Sequence, residues 1–454
     1  MSRLRPATTV LRFTRVVWAV LLLQLLGCGP SPDISPPRAI TYTFDAPTRE
    51  LIRLLAQKAR SSVYQDFDRK FKGILVPESL LPYEPFVLGL STESKIPTVL
   101  LLDAPWVQRY GVAGWLFELE RTKVFDRSEL APSVADAFSV SLAHITGHPG
   151  KQLVAVPTYI KGNILFYRQD ILKRYNLSPP RTWDELRTIC RKVLPQEKSL
   201  KYGLLIHSTN TLNDFYPIFW GFGGQVNGDD GQFVLPDKPN SEAFVAALKA
   251  LIAMQGSIIP GPGALKQFDP GGSLRQAFFQ GQTLFMINWS TRMKDLGDLI
   301  ANGGGQPPGS LTSFSQVGVA PIPAQAGHPH RYTNIGSFGW AVNRFSVTDP
   351  LVIEHAKQFI GVVAGEQFQL LAAETIGQVP SLVSALKKVT NKEVLQIYND
   401  TFAQKDMVLR PRPHSRRINS VLEKVLDEAL YGRQTPEAAL AWAIAELKKE
   451  QTPE

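Results

Sequence analysis

An α/β fold in two domains is what this sequence predicts, on three observations. The chain has 454 residues, 44% of them hydrophobic and 20% charged, the balance of a globular protein with a real core. At about 150 residues per domain that length accommodates two domains, and no block of like charge, low-complexity tract or internal repeat argues otherwise. From Ile40 onward short apolar runs alternate with stretches of helical periodicity, which favours α/β over a sandwich or a bundle.

Residues 40–44 read as the first strand, and Pro47 opens a helix with Leu51, Leu54, Leu55 and Lys58 at helical spacing. Residues 97–102 make a buried-strand candidate that stops at Asp103, where a loop and the helix around Trp106 begin. Polar and aromatic groups thus gather at a strand's carboxyl end, the usual ligand position in open α/β sheets. Residues 154–156 and 164–167 are strand-like and lead into a helix ending near Tyr175. In "LSPPRTWDEL", Thr182 and Glu185 make a capping box, so the next helix starts at Trp183. Helices are expected over 241–255, 273–281 and 350–373, the last with Asp349 as cap and Pro350 at its first position. Two more, over 417–431 and 436–449, close the chain.

Ahead of these elements Arg3, Arg5, Arg12 and Arg15 precede an apolar stretch, residues 16–26, that is too short for the ~20 residues of a spanning helix. Segment 1–27 therefore reads as a signal peptide for secretion. The spacing Leu25-Leu26-Gly27-Cys28 resembles the lipobox of bacterial lipoproteins, which implies cleavage before Cys28 and lipid on its thiol. An ordinary cleaved signal with a chance cysteine is the alternative. Residues 28–39, with Pro30, Pro32, Pro36 and Pro37, would form an extended tether between membrane and globule. The formal charge of +9 drops to about +5 once the signal arginines leave. With no Lys/Arg stripe among aromatics, nucleic acid is not expected as a partner. Cys190, the other cysteine, has no partner for an internal disulfide.

Six further stretches, in order, resemble the extracellular solute-binding proteins of ATP-driven (ABC) sugar importers, of the maltose-binding type. "VPTYIKGNILFYRQDILKRYNLSPPRTWDEL" resembles the family's crossing segment between lobes, and "GFGGQVNGDDGQF" its Gly-Gly hairpin. "AFFQGQTLFMINWS" is similar to its helix, strand and tryptophan, and "VGVAPIP" to its return strand. "GEQFQLLAAETIGQVPS" and "RPRPHSRRINSVLEKVLDEALYGRQTPEAALAWAIAELKK" resemble its late helix and C-terminal helices. The resemblance implies a two-lobed periplasmic-binding-protein type II fold, α/β, with discontinuous lobes joined by crossing strands and a ligand cleft between them. Residues 40–157 and 328–378 would form the N-terminal lobe, and 158–327 and 379–454 the C-terminal lobe.

A sugar presents C–H faces and hydroxyl edges, so its site needs aromatic platforms rimmed by carboxylate, amide or guanidinium groups. Trp106, Trp220, Trp289 and Trp340 lie where strands end or loops begin, and Trp106 and Trp289 match family cleft positions; for each the alternative is a lobe-core aromatic. Asp103 and Asp45 serve either as acceptors for hydroxyls or as helix caps. Tyr159 and Lys161 lie on the crossing segment, and Lys161 stands where some sugar-binding relatives carry an acid, which argues against neutral maltodextrins. Arg412 and Arg416 are candidates to reach the cleft from the C-terminal part or to face solvent.

No catalytic signature accompanies these residues. His144 and His148 lie in a stretch that Gly147 and Pro149 make a loop, with no acidic third ligand, so no metal is expected. The "NGDDG" stretch fits a hairpin turn better than a calcium loop, and no cofactor fingerprint occurs. The implied function is that of a lipid-anchored extracytoplasmic receptor, in the periplasm or at the cell surface. It would be monomeric, bind a saccharide or related polyol by lobe closure, and deliver it to permease subunits. Two rival readings remain: an enzyme of the thiamine-degrading kind on the same fold, with Cys190 as nucleophile, or a ligand-sensing subunit of a signalling system.

Overall fold

A computed structural model describes residues 40–449, apart from 45, 59–66, 68–70, 76–83, 96, 121–124, 208–210, 229–231, 269–271, 304–306 and 414. The expected signal 1–27, the tether 28–39 with Cys28, and Asp45 lie outside the described residues. In chain order the framing strands are β1 (Ile40–Phe44), β2 (Phe71–Leu75), β3 (Val99–Asp103), β4 (Ala155–Pro157), β5 (Tyr159–Ile160), β6 (Asn163–Arg168) and β7 (Tyr202–Leu205). They continue with β8 (Thr283–Trp289), β9 (Val317–Ala320), β10 (Arg331–Asn334), β11 (Phe338–Val342), β12 (Val379–Pro380) and β13 (Met407–Arg410).

Two mixed sheets result, each the centre of one α/β lobe. The first has the order β2-β1-β3-β11-β4, with β1 parallel to β2 and β3, and β11 antiparallel to both its neighbours. The second runs β9-β6-β8-β7, with β6 antiparallel to β8 and β9, and β7 parallel to β8. Strand β6, "NILFYR", is buried at every position, as expected of a central strand covered on both faces.

Aromatic side chains fill each core. Tyr42, Phe67, Phe71, Trp340 and Phe359 meet ring to ring, with centroids 4.7–6.3 Å apart, and none is more than 5% exposed. In the second lobe Phe215 and Phe219 of the helix Thr211–Gly221 both pack edge-on to Phe244, at 4.9 and 5.2 Å. Each such ring contributes roughly 1.5–3 kcal/mol by leaving water.

Local signals set the helix ends. The capping box at Thr182 and Glu185 forms, and the helix it opens is Trp183–Val193. Asp349 accepts from the amides of Leu351 and Val352 at 2.8 and 3.2 Å, with Pro350 at the first position. The single helix expected over 350–373 is instead two, Pro350–Val363 and Glu366–Ile376. Between them a Cβ on Gly365 would fall 2.1 Å from the Gly361 carbonyl oxygen, so the chain turns through a gap that only glycine fits. The loop expected after Asp103 is absent, and a helix, Ala104–Val112, follows β3 directly.

The chain crosses between the sheets from β4 to β6, from β9 to β11, and after the helix Glu366–Ile376. These crossings are tied to one another: β5 pairs antiparallel with β12, and Gly162 bridges Ile335. Ser381, fully buried, donates its hydroxyl to the Pro157 carbonyl at 2.5 Å, while the Gln369 Oε1 accepts from the amides of Ser381 and Leu382 at 2.7 and 3.0 Å. Buried backbone groups are thus satisfied where the regular sheets stop. Among the described residues no helix is long and apolar enough to cross a membrane.

Candidate functional site

Polar and aromatic groups converge where β3, β8 and the crossing from β4 to β6 end together. Asp103 closes β3. Its Oδ1 accepts from the Ala104 amide at 2.9 Å and caps the helix Ala104–Val112, while its Oδ2 lies 3.6 Å from Arg412 Nη2. One carboxylate therefore both caps a helix and faces a cation. Arg412, two residues past β13, also donates from Nη1 to Asn213 Oδ1 at 2.9 Å. Lys161, on the crossing, places its Nζ 4.8 Å from the ring centre of Trp289, the last residue of β8. Lys161 and Trp289 are half-buried.

The backbone fixes this arrangement tightly. The Lys161 amide donates to Ser337 Oγ at 2.9 Å, and its carbonyl accepts from the Gly336 amide at 2.8 Å. The Ser337 carbonyl accepts in turn from Ala104, so the crossing, β11 and the cap at Asp103 share one hydrogen-bonded corner. Gly336 has no room for a side chain: a Cβ there would lie 2.6 Å from Trp289 Cζ3, because the backbone packs against the benzo part of the indole.

Burial pushes the Asp103 carboxyl above its ordinary value, and the attraction of Arg412 and Lys161 and the Ala104 amide offset this only in part. Behind Asn213 lies a fully enclosed polar group: Asp214 Oδ1 accepts from Asn163 Nδ2 at 2.7 Å, and Oδ2 accepts from the His207 amide at 2.8 Å. The His207 ring sits 2.8 Å from the same carboxylate. Burial favours neutral imidazole, but the Asp214 charge and hydrogen bond outweigh it and hold His207 above its ordinary value. This group anchors the start of the helix Thr211–Gly221, and with it Asn213.

Of the residues singled out from sequence, Asp103, Lys161, Trp289 and Arg412 come together. Tyr159 lies half-buried on β5, opposite Pro380 and two residues before Lys161. Three expected platforms do not join them. Trp340 is fully buried in the middle of β11, flanked by strands on both sides, and packs on Phe359. Trp106 is 3% exposed and set edge-on to Tyr110, and Trp220 is 2% exposed and stacked on Tyr216. All three are core aromatics here. Arg416 is exposed at the start of the helix Arg416–Leu430.

Sequence reasoning missed Asn213, Gly336 and Ser337. The polar run "NTLND" opening an otherwise apolar helix was the available signal for the first. Cys190 is fully buried in the helix Trp183–Val193, where a Cβ on Gly203 would lie 2.6 Å from its Sγ. Burial alone pushes its thiol up to about 12, so it is no nucleophile at this site. Among the described residues no cluster of His, Cys, Asp or Glu could hold a metal. Asn227 and Phe233, on either side of "NGDDG", form an antiparallel bridge, and residues 229–231 lie outside the described residues.

Residues 91–370, more than half of the chain, match the family described as Bacterial extracellular solute-binding protein. A curated relative from Deinococcus radiodurans, "Probable ABC transporter-binding protein", is 28% identical over 255 residues. That alignment covers 54% of this chain and 55% of the relative, so it spans about half the length of each. The maltose-bound MalE3 of T. maritima superposes with a TM-score of 0.64 at 24% identity, covering 90% of this chain and 99% of that one. The sugar-binding protein MalE of Xanthomonas citri gives 0.68 at 16% identity, over 90% and 96%. A solute-binding protein of Agrobacterium radiobacter K84 in complex with ribitol gives 0.61 at 21% identity, over 90% and 98%. At these identities the structural likeness speaks for the two-lobed fold.

Proposed function

Since this chain belongs to the bacterial extracellular solute-binding proteins, we propose that it captures a carbohydrate or related polyol between its two lobes and delivers it to the permease of an ABC importer. The lobes are taken as 40–157 with 328–378, and 158–327 with 379–454. One observation carries the reading: Asp103, Lys161, Trp289 and Arg412, from distant parts of the chain, meet where the crossing segments pass between the sheets. An indole face with carboxylate, ammonium and guanidinium groups at its rim has the chemistry a polyhydroxylated ring needs.

Closure follows from contacts to both lobes. A micromolar solute supplies about 8 kcal/mol, and whatever part of it comes from bonds present only in the closed form shifts the equilibrium toward closure. Lipid on Cys28 would keep the receptor near its permease, with residues 28–39 as tether. Binding needs no cofactor, and a monomer suffices for it.

The test is titration of the protein with a panel of sugars, sugar acids and polyols, read by tryptophan emission and by small-angle scattering. A saturable signal with a smaller radius of gyration supports the reading. A panel that moves neither signal removes it. Mass spectrometry of the membrane-extracted protein decides the anchor, since acylation at Cys28 adds the mass of its alkyl chains to the mature N-terminus.

A further inference from the structure

Resting on the reading of the corner around Asp103 and Trp289 as the solute site, we infer that Asn334 is a specificity-determining residue of that site. Its carboxamide receives two adjacent hydroxyls of the saccharide or polyol, the solute's most deeply buried edge.

Asn334 is 1% exposed, yet neither its Oδ1 nor its Nδ2 has a partner among the described residues. The Oδ1 of Asn163, a fully buried residue, is also without one among them, while its Nδ2 is committed to Asp214. Each of these atoms has left water for no bond in return, a cost that a guest of the right chemistry removes.

Register places them at the solute corner. Side chains alternate along a strand, so Asn334 shares a face of β10 with Tyr332, and its ladder partner on β13, Arg410, points the same way. Tyr332 sits edge-on to Trp220, and the Arg410 guanidinium lies 4.9 Å from the Tyr332 ring centre and 5.6 Å from that of Trp220, so the helix Thr211–Gly221 covers this face. Trp220, Tyr216 and Asn213 follow at helical spacing, Trp220 stacked on Tyr216 and Asn213 holding Arg412. The seam between strand and helix thus runs from Tyr332 past Asn334 to the corner. Asn334 is two residues short of Gly336, which packs on Trp289, and Arg410 is two short of Arg412. Asn163 faces the same end of the helix through Asp214, and Thr333 ties its carbonyl to β10.

The unmatched atoms are two acceptors and one donor pair, and this mixture selects the guest. A carboxylate only accepts and would leave both amide oxygens facing it, and an ammonium only donates and would leave Asn334 Nδ2 unmatched. Hydroxyls do both. One of a vicinal pair donates to Asn334 Oδ1 while the other accepts from Nδ2, and Asn163 Oδ1 offers a further acceptor in the same wall.

The experiment is calorimetric titration of the full chain in detergent with the sugars and polyols of the panel, glucose, maltose and ribitol among them, and then with the monodeoxy derivatives of each that binds. In the wild type two adjacent positions should stand out, loss of either hydroxyl weakening binding at least about tenfold, because a buried amide atom is then left unpaired. In Asn334→Leu, close in volume, and in the smaller Asn334→Ala, both with unchanged circular dichroism, the penalty at those two positions should fall toward unity while penalties elsewhere on the solute stay as in the wild type. A bound parent whose deoxy series shows no such adjacent pair overturns the inference, and the wild-type series decides this whether or not the variants fold. A pair whose penalty survives both substitutions overturns it as well and makes Asn334 a structural amide. Either result leaves the solute-site reading standing. If no sugar or polyol of the panel binds, the inference and the site reading both fall.

Discussion

Asp103 Oδ2 and Arg412 Nη2 lie 3.6 Å apart and join the end of β3, in the first sheet, to the segment that follows β13. Arg412 is about a third exposed and Asp103 about a fifth, so the pair itself adds little to stability. On the proposed function its value is in placing a guanidinium at the solute corner. Arg412→Gln should therefore weaken solute binding by ~10–100-fold, the loss of a hydrogen bond from a charged donor, while the unfolding free energy changes by less than about 1 kcal/mol. Calorimetry and urea unfolding of the same preparation separate the two effects. Unaltered affinity would take Arg412 out of the site.

Protonation of Asp103 gives a second prediction. Burial raises its carboxyl above the ordinary value, with Arg412, Lys161 and the Ala104 amide as the opposing groups that face it. Its charge is therefore lost at a milder pH than that of a surface aspartate. For an acidic solute, neutral Asp103 removes a competing carboxylate, so affinity should rise as the pH falls into the raised range where that carboxyl takes up its proton. A neutral sugar that bonds to ionised Asp103 shows the opposite slope. Dissociation constants across this range read the sign, and Asp103→Asn should flatten the profile in either case.

Gly336 supplies a third. A Cβ there would come within 2.6 Å of Trp289 Cζ3, and the backbone is pinned by its bond to the Lys161 carbonyl. The indole has to move. Gly336→Ala should lower solute affinity at least about tenfold and change the tryptophan emission of the free protein, at a stability cost of about 1–3 kcal/mol for overpacking. Wild-type affinity with wild-type emission would mean that Trp289 yields without consequence and is not a platform.

Strand ends were legible in the sequence because an apolar run stopping at a charged residue marks them. Asp103 was found in this way, Trp289 from its place after the strand "TLFMIN" and its match to a family cleft position, and Lys161 and Arg412 through the resemblance of their segments to the family. Whether a tryptophan faces core or solute was not legible, because that depends on what flanks its strand or helix. Trp340 lies in "FGWAV", which becomes a strand with neighbours on both sides, and only the pairing of β11 with β3 and β4 makes its position internal. The helix break at Gly365 was missed because periodicity continues across it, and the cause is a contact with the Gly361 carbonyl, visible only in three dimensions. Asn213 and Ser337 were missed for a similar reason: their partners, Arg412 and the Lys161 amide, are remote in sequence.

Glu423 carries the last prediction, on stability. It lies on the helix Arg416–Leu430, which packs on the helix Thr211–Gly221, and its Oε1 accepts from the Leu212 amide at 3.2 Å. Burial raises its carboxyl to about 7, the Leu212 amide lowers it in part, and Asp427 and Asp214 raise it further. The unfolded chain binds this proton only below the ordinary glutamate value, near ~4.3. The folded state thus binds the extra proton between these limits, so the stabilisation is complete below the unfolded value and is lost as pH rises through about 7. Glu423→Gln keeps an acceptor for the Leu212 amide without the charge. The variant and the wild type should be about equally stable at low pH, and the variant should be more stable at pH 8 by on the order of 2 kcal/mol, discounted for the partial exposure of the site. His207 also sits above its ordinary value and loses its own contribution as pH rises through that raised value, but that loss is common to both proteins and cancels in their difference. Urea unfolding at both pH values gives that difference directly, and a gap that does not widen with pH would mean the Glu423 carboxyl titrates as it does in water.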